Sequence, residues 1–78
     1  MANVKPAFFE RLEMDFAQYF GPMAPVIIDE KCEELGYARN EFPQQHLSQL
    51  IEKMSNELTD RNQRTQFRDR AQTLMKEF

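Results

Sequence analysis

Apolar residues recur along this chain at steps of three and four, the spacing that keeps them on one face of an α-helix. In the first segment Phe9, Leu12, Phe16 and then Tyr19 and Phe20 follow that rhythm, while Glu10, Arg11, Glu13 and Asp15 fill the other side. The spacing predicts a helix over 6–20, with Pro6 in its first turn, where a missing backbone N–H costs nothing. Gly21 and Pro22 then close it. Glycine reaches the left-handed backbone that ends helices, and proline cannot extend the helix before it. Pro22 is equally suited to begin the next helix, and Pro25 still fits within that helix's first turn. A second helix is therefore expected over 22–35, with Ala24, Ile28, Cys32 and Leu35 on one stripe and Ile27 beside it. With almost no linker at the Gly-Pro pair, the two helices must meet at a sharp corner.

Gly36 is a natural stop, and "GYARNEFP" (36–43) reads as the one real loop, with Phe42-Pro43 biased to extended backbone. Leu47, Leu50, Ile51, Met54 and Leu58 form the cleanest amphipathic pattern of the chain and predict a third helix over 44–58. Asp60 followed by Gln63 has the form of a capping box opening a fourth helix over 61–77, whose inner face is Phe67, Ala71, Leu74, Met75 and Phe78. Two glycines, four prolines and no clustering of β-branched residues argue against a sheet. The expectation is an all-α fold: a compact bundle of four short helices forming a single domain over 1–78, with Gly21, Pro22 and Ala24 building a structural corner.

Composition adds a suspicion of partners. A chain of 78 residues buries only about 60–65% of its unfolded surface, so a monomer has little stability to spare. Seven Phe and five Met are many for so short a soluble chain. Five of the nine aromatics (Phe8, Phe9, Phe16, Tyr19 and Phe20) lie in the first twenty residues and cover more of the helix than one core face needs. A surplus apolar face meeting a second protein is the better account, with packing into the domain's own core as the alternative. Phe8, Leu12 and Tyr19 are the expected contact residues, and a homodimer the expected assembly. A membrane-surface helix would carry Lys and Arg on its polar side, where this one carries mainly acids. The longest apolar run, Val26-Ile27-Ile28, is far too short to cross a bilayer. No secretory leader pattern opens the chain, and the single Cys32 excludes an intrachain disulfide or a Cys-based zinc site. A cytoplasmic location is expected.

Charge is polarised along the sequence. Residues 1–45 hold four bases against eight acids, and residues 61–76 hold five bases against Asp69 alone. Arg61, Arg64 and Arg68 fall on one stripe of the last helix, with Glu57 four residues before Arg61 as in a salt-bridged helix surface. Such a stripe suits an acidic protein partner or intrachain pairing. The alternative is a small nucleic-acid-associated regulator using the same three arginines. That alternative is weakened by an acidic chain with a pI near 5.1 and no helix-turn-helix spacing.

Catalysis has little to build from. The only histidine, His46, stands two residues from Ser48 at a helix start, which reads as a solvated helix terminus rather than a nucleophile–base pair. Asp29, Glu30, Glu33 and Glu34 share helical spacing but have no facing ligand cluster, so they read as a solvated acidic face rather than a metal site. No catalytic residue, metal site or cofactor is expected.

The order of these signals resembles a small helical domain found at the ends of bacterial signalling proteins, among them serine/threonine protein kinases, cyclases and response-regulator-like proteins. Its pattern is aromatic-hydrophobic-Gly-Pro-hydrophobic-Ala, a Leu-rich helix, an acid-polar turn and Arg-x-x-Phe. Here the matching positions are Tyr19, Phe20, Gly21, Pro22, Met23 and Ala24, then Leu47, Leu50, Ile51, Leu58, Asp60, Arg64 and Phe67, across residues 12–70. The chain departs from the pattern at Pro25 and in its acidic second helix. The resemblance implies a regulatory or interaction-mediating accessory domain of bacterial signalling proteins and implies no reaction.

Overall fold

Pro6 stands at the first position of a helix that runs to Phe20 (α1, Pro6–Phe20), and the helix ends where Gly21 turns to φ +55° and ψ −133°. This is a positive-φ conformation, but with ψ rotated away from the left-handed helical basin anticipated for the corner; it belongs to the turn geometry that only glycine enters without strain. The Gly21 N–H donates to the Ala17 carbonyl, so the last turn of α1 is satisfied. A Cβ built at Gly21 meets nothing within 4 Å, so the constraint is backbone conformation and not space. Gly21→Val is accordingly expected to cost about 1–3 kcal/mol. That loss would lower the melting temperature by several degrees, read by circular dichroism, and an unchanged melt would sink the argument.

The computed structural model describes residues 3–78. After α1 come a 3-10 turn (Gly21–Met23), α2 (Ala24–Glu34), two isolated 3-10 turns (Arg39–Glu41 and Gln44–His46), α3 (Leu47–Ser55) and α4 (Arg61–Glu77). About 80% of the chain is helical, and no strand occurs among the described residues. The expectation of four separate helices needs correction. α1, the 3-10 turn and α2 follow one another with no linker residue between them, broken only at the Gly21 backbone, so the long helical stretches among the described residues number three: 6–34, bent at the corner, then 44–55 and 61–77. Pro22 lies in the 3-10 turn and Pro25 in the first turn of α2, where neither removes a bond the helix needs. The third helix also stops at Ser55, before the anticipated Leu58, and Leu58 is buried from the turn that follows. The capping box at α4 is half formed: Asp60 Oδ1 accepts the Gln63 N–H at 3.1 Å.

One apolar core runs through the molecule, and at 11.4 Å the radius of gyration matches the roughly 11.5 Å of a close-packed chain this long. Ala24 is wholly buried at the corner, where its small side chain lets α2 approach. Phe67 of α4 lies 5.1 Å from Phe16 and 6.5 Å, edge-on, from Tyr19. Cys32 is a free thiol inside this core, and its burial pushes its pKa up to about 11.

The surplus aromatic face of α1 is covered by its own chain. Phe8 and Leu12, expected to meet a partner, are buried, and Tyr19 is half-buried against Phe67. The covering comes from the inner face of α4 and from segments that carry no helical period. The Val4 N–H donates to the Phe42 carbonyl at 2.8 Å, strapping the N-terminal segment to the loop, and Phe42 itself packs edge-on to Phe9 at 6.0 Å. Phe78 closes the far end, 5.9 Å from Phe8.

Arg39 ties that loop to both arms of the corner. It donates to Glu13 of α1 at 2.8 Å, to Asp29 of α2 at 2.9 Å and to the Pro25 carbonyl at 3.2 Å, with its guanidinium 5.8 Å over the Phe9 ring. Burial pulls its pKa down, but the bond to Glu13 and the charges of Asp29 and Glu13 together carry it above the usual arginine value. A second ionic knot joins α2 to α3. Lys31 pairs with Glu57 and Glu34, and Lys53 reaches Glu34 at 3.1 Å. The hydrogen bond that Lys31 donates to Glu57 leads in raising the Lys31 pKa, and the one it donates to Glu34 leads in lowering that of Glu34. Glu57 is thus spent on Lys31 across the fold, and not on Arg61 as its sequence spacing suggests.

Candidate protein-interaction site at the helical corner

α1 and α4 run antiparallel, which decides what lies beside the corner. The pairs Phe8–Phe78, Asp15–Arg70 and Tyr19–Phe67 descend α4 as they ascend α1. One further turn along each helix brings Gly21 and Pro22 to the level of Arg64, with Arg61 beyond it. The corner residues and the arginine end of α4 therefore share one end of the molecule.

That end is apolar as well as charged. Met23 and Val26 are 52% and 51% exposed, while the partly buried Phe20 and Ile27 pack against the core beside them. Continuing along α2 from Val26, the positions three, four and seven residues on are Asp29, Glu30 and Glu33, all exposed. The exposed apolar pair thus shares this end of the molecule with the arginines of α4, and exposed carboxylates follow it along α2. Met14, 68% exposed on α1, and Phe78, 41% exposed at the opposite end, are the other large apolar side chains open to solvent among the described residues.

The arginine stripe does not act as one unit. Arg68 is anchored inward, donating to Glu52 Oε1 at 2.8 Å and to Ser55 Oγ at 3.0 Å. Its neighbour Arg70 pairs with Asp15 at 3.2 Å. Arg61 and Arg64 have no carboxylate partner among the described residues, and Arg64 makes no side-chain bond to helix carbonyls. Arg61, Arg64, Thr65 and Arg68 line a shallow hollow of about 280 Å³. Of the interaction residues expected from sequence, Arg61 is exposed and Arg64 half-buried at the corner end, Arg68 lines the same hollow while tethered, and Phe8, Leu12 and Tyr19 belong to the packed interior or its edge.

Met23 and Val26 were legible but unread. They are apolar positions off the buried α2 stripe of Ala24, Ile28 and Cys32, which is the signature of an exposed apolar patch. His46 stacks on Tyr37 at 5.3 Å and so is half-buried, not a freely solvated terminus. The acids proposed as a solvated face are partly spent: Asp29 on Arg39, Glu34 on Lys31 and Lys53. Among the described residues, no three His, Cys, Asp or Glu side chains converge as a metal site would need. No helix among them is long and apolar enough to cross a membrane.

Fold and site together define a small all-helical domain whose least satisfied surface is a charged, apolar corner. The chain belongs to the family described as Domain of unknown function (DUF8082), whose model matches residues 7–78. No curated protein and no solved structure matches it.

Proposed function

We propose that this domain is a non-catalytic protein-interaction and dimerisation module, serving as a regulatory accessory of cytoplasmic bacterial signalling proteins. The signalling context rests on the resemblance carried by Tyr19 to Ala24 and by Arg64 and Phe67. The docking role rests on one observation: Met23 and Val26 stand exposed at the end of the molecule that also carries Arg61 and Arg64, which have no carboxylate partner among the described residues, and exposed acids follow along α2. A second copy of the chain fits that surface. A two-fold axis through the apolar pair sets Met23 and Val26 against their twins and turns Arg61 and Arg64 toward Asp29, Glu30 and Glu33 of the other subunit, giving a self-complementary contact.

Light scattering over a hundredfold concentration range, at low and high salt, tests the reading. The expected result is a dimer that weakens with added salt and is lost in both Val26→Glu and Arg64→Glu, each still folded. A chain that stays monomeric throughout overturns the dimer. The unpaired Arg61 and Arg64 also favour a second reading, a small nucleic-acid-associated regulator. Its mark would be binding to an oligonucleotide that falls steeply with salt and falls again on neutralising Arg64.

A further inference from the structure

We propose that the hollow formed by Arg61, Arg64, Thr65 and Arg68 is a subsite for a doubly charged phosphoryl group. The placement of these cations is electrostatically costly without a ligand. They occupy the first two turns of a 17-residue helix, where the helix dipole already presents positive charge, and the one carboxylate at that end, Asp60, is engaged in capping the Gln63 N–H. The charge count selects the ligand. Three arginines and no carboxylate line the hollow; Glu52 is bonded to Arg68, and Arg61 and Arg64 have no carboxylate partner among the described residues, so two guanidinium groups are left without a direct counterion. A phosphate monoester carries about −1.5 to −2 at neutral pH and matches that excess. A single carboxylate or a nucleic-acid phosphodiester, each carrying one charge, does not.

Geometry favours the same choice. Arg68 is held in place by its bonds from Nε to Ser55 and from Nη2 to Glu52, leaving Nη1 without a partner among the described residues. Arg61 and Arg64 bring complete forks of donors, the arrangement that grips phosphate oxygens two at a time. The Thr65 hydroxyl donates to the Arg61 carbonyl at 3.2 Å and so fixes the hollow's floor without supplying charge.

The proposal deepens the docking reading, because Arg61 and Arg64 are the cations assigned there to a twin, and phosphate would compete with it. The experiment therefore uses wild-type chain dilute enough to be monomeric, followed by amide and guanidinium NMR at ionic strength matched with chloride. Failure of the titration then leaves the dimer measurement standing, and the converse holds. Phenyl phosphate, a phosphoserine peptide, dimethyl phosphate and glutarate are the probes.

The expected result is saturable shifts confined to residues 61–68, with phenyl phosphate bound at least about tenfold tighter than dimethyl phosphate or glutarate. Affinity should fall between pH 7 and about pH 5, as the ester's second ionisation near 6 is lost. Arg64→Gln should weaken binding about tenfold at an unchanged melting temperature, and Arg64→Lys should restore only part of it. A peptide that outbinds phenyl phosphate assigns the ligand to a modified protein side chain, and equal affinities assign it to free esters; the subsite stands in both cases. Absent or non-saturating shifts, or equal binding of the diester or the diacid, would overturn it.

Discussion

Phe67→Ala is expected to remove about 3–5 kcal/mol of folding stability, enough to leave the domain largely unfolded or close to it at ordinary temperatures. The residue is fully buried and is the joint between α4 and α1, meeting Phe16 at 5.1 Å and Tyr19 at 6.5 Å. Truncation would lose the transfer free energy of the ring and leave a void that Phe16 and Tyr19, both fixed on α1, could fill only in part. Its loss should also loosen the end of α4 that holds Arg64, so the corner surface would go with it. Urea denaturation followed by far-UV circular dichroism reads the effect. Phe67→Leu, which keeps most of the volume, should cost much less. A loss below about 1 kcal/mol for the alanine variant would mean that α4 docks through other contacts.

Arg39→Ala is the second large effect expected, at about 1.5–3 kcal/mol. One guanidinium satisfies Glu13, Asp29 and the Pro25 carbonyl while lying over Phe9, so its removal undoes the link between loop, α1 and α2 in a single step. The partial exposure of Glu13 and Asp29, at 32% and 57%, lets water take over part of the task and keeps the cost below that of a deeply buried pair. Lysine should rescue little, since a compact ammonium cannot address three acceptors set in a fork. A double-mutant cycle with Glu13→Gln isolates the pair. A coupling energy near zero would show that the Glu13 bond adds nothing and that Arg39 acts through Asp29, the Pro25 carbonyl and Phe9.

These two residues show where sequence reading succeeds and where it stops. Phe67 was readable because it falls on a helical stripe with Ala71 and Leu74, and periodicity reports which face of a helix is inward. Gly21 and Pro22 were readable because backbone chirality leaves few ways to place that pair. Arg39 sits in a segment with no period, and its partners lie 10, 14 and 26 residues away, so only the folded chain brings them together. The same holds for Phe42, which covers the flank of α1 that looked bare. It also holds for Arg68, whose acceptors Ser55 and Glu52 lie on another helix. A count of aromatics gave the right amount of apolar surface and the wrong cover for it. Counting arginines likewise found the stripe without showing which of its members were already engaged.

The antiparallel course of α1 and α4 has a consequence for how the domain would hang in a longer polypeptide. Val4 and Phe78 both line the same small hollow beside Phe8, so the chain enters and leaves the fold at one place. The corner lies at the other end of α1, a helix of 15 residues and therefore about 20 Å away. Anything tethered before or after the domain would arrive at the end remote from Met23, Val26, Arg61 and Arg64. On a flexible tether such a domain could swivel and sweep its corner through the surrounding volume, with neither attachment standing in the way.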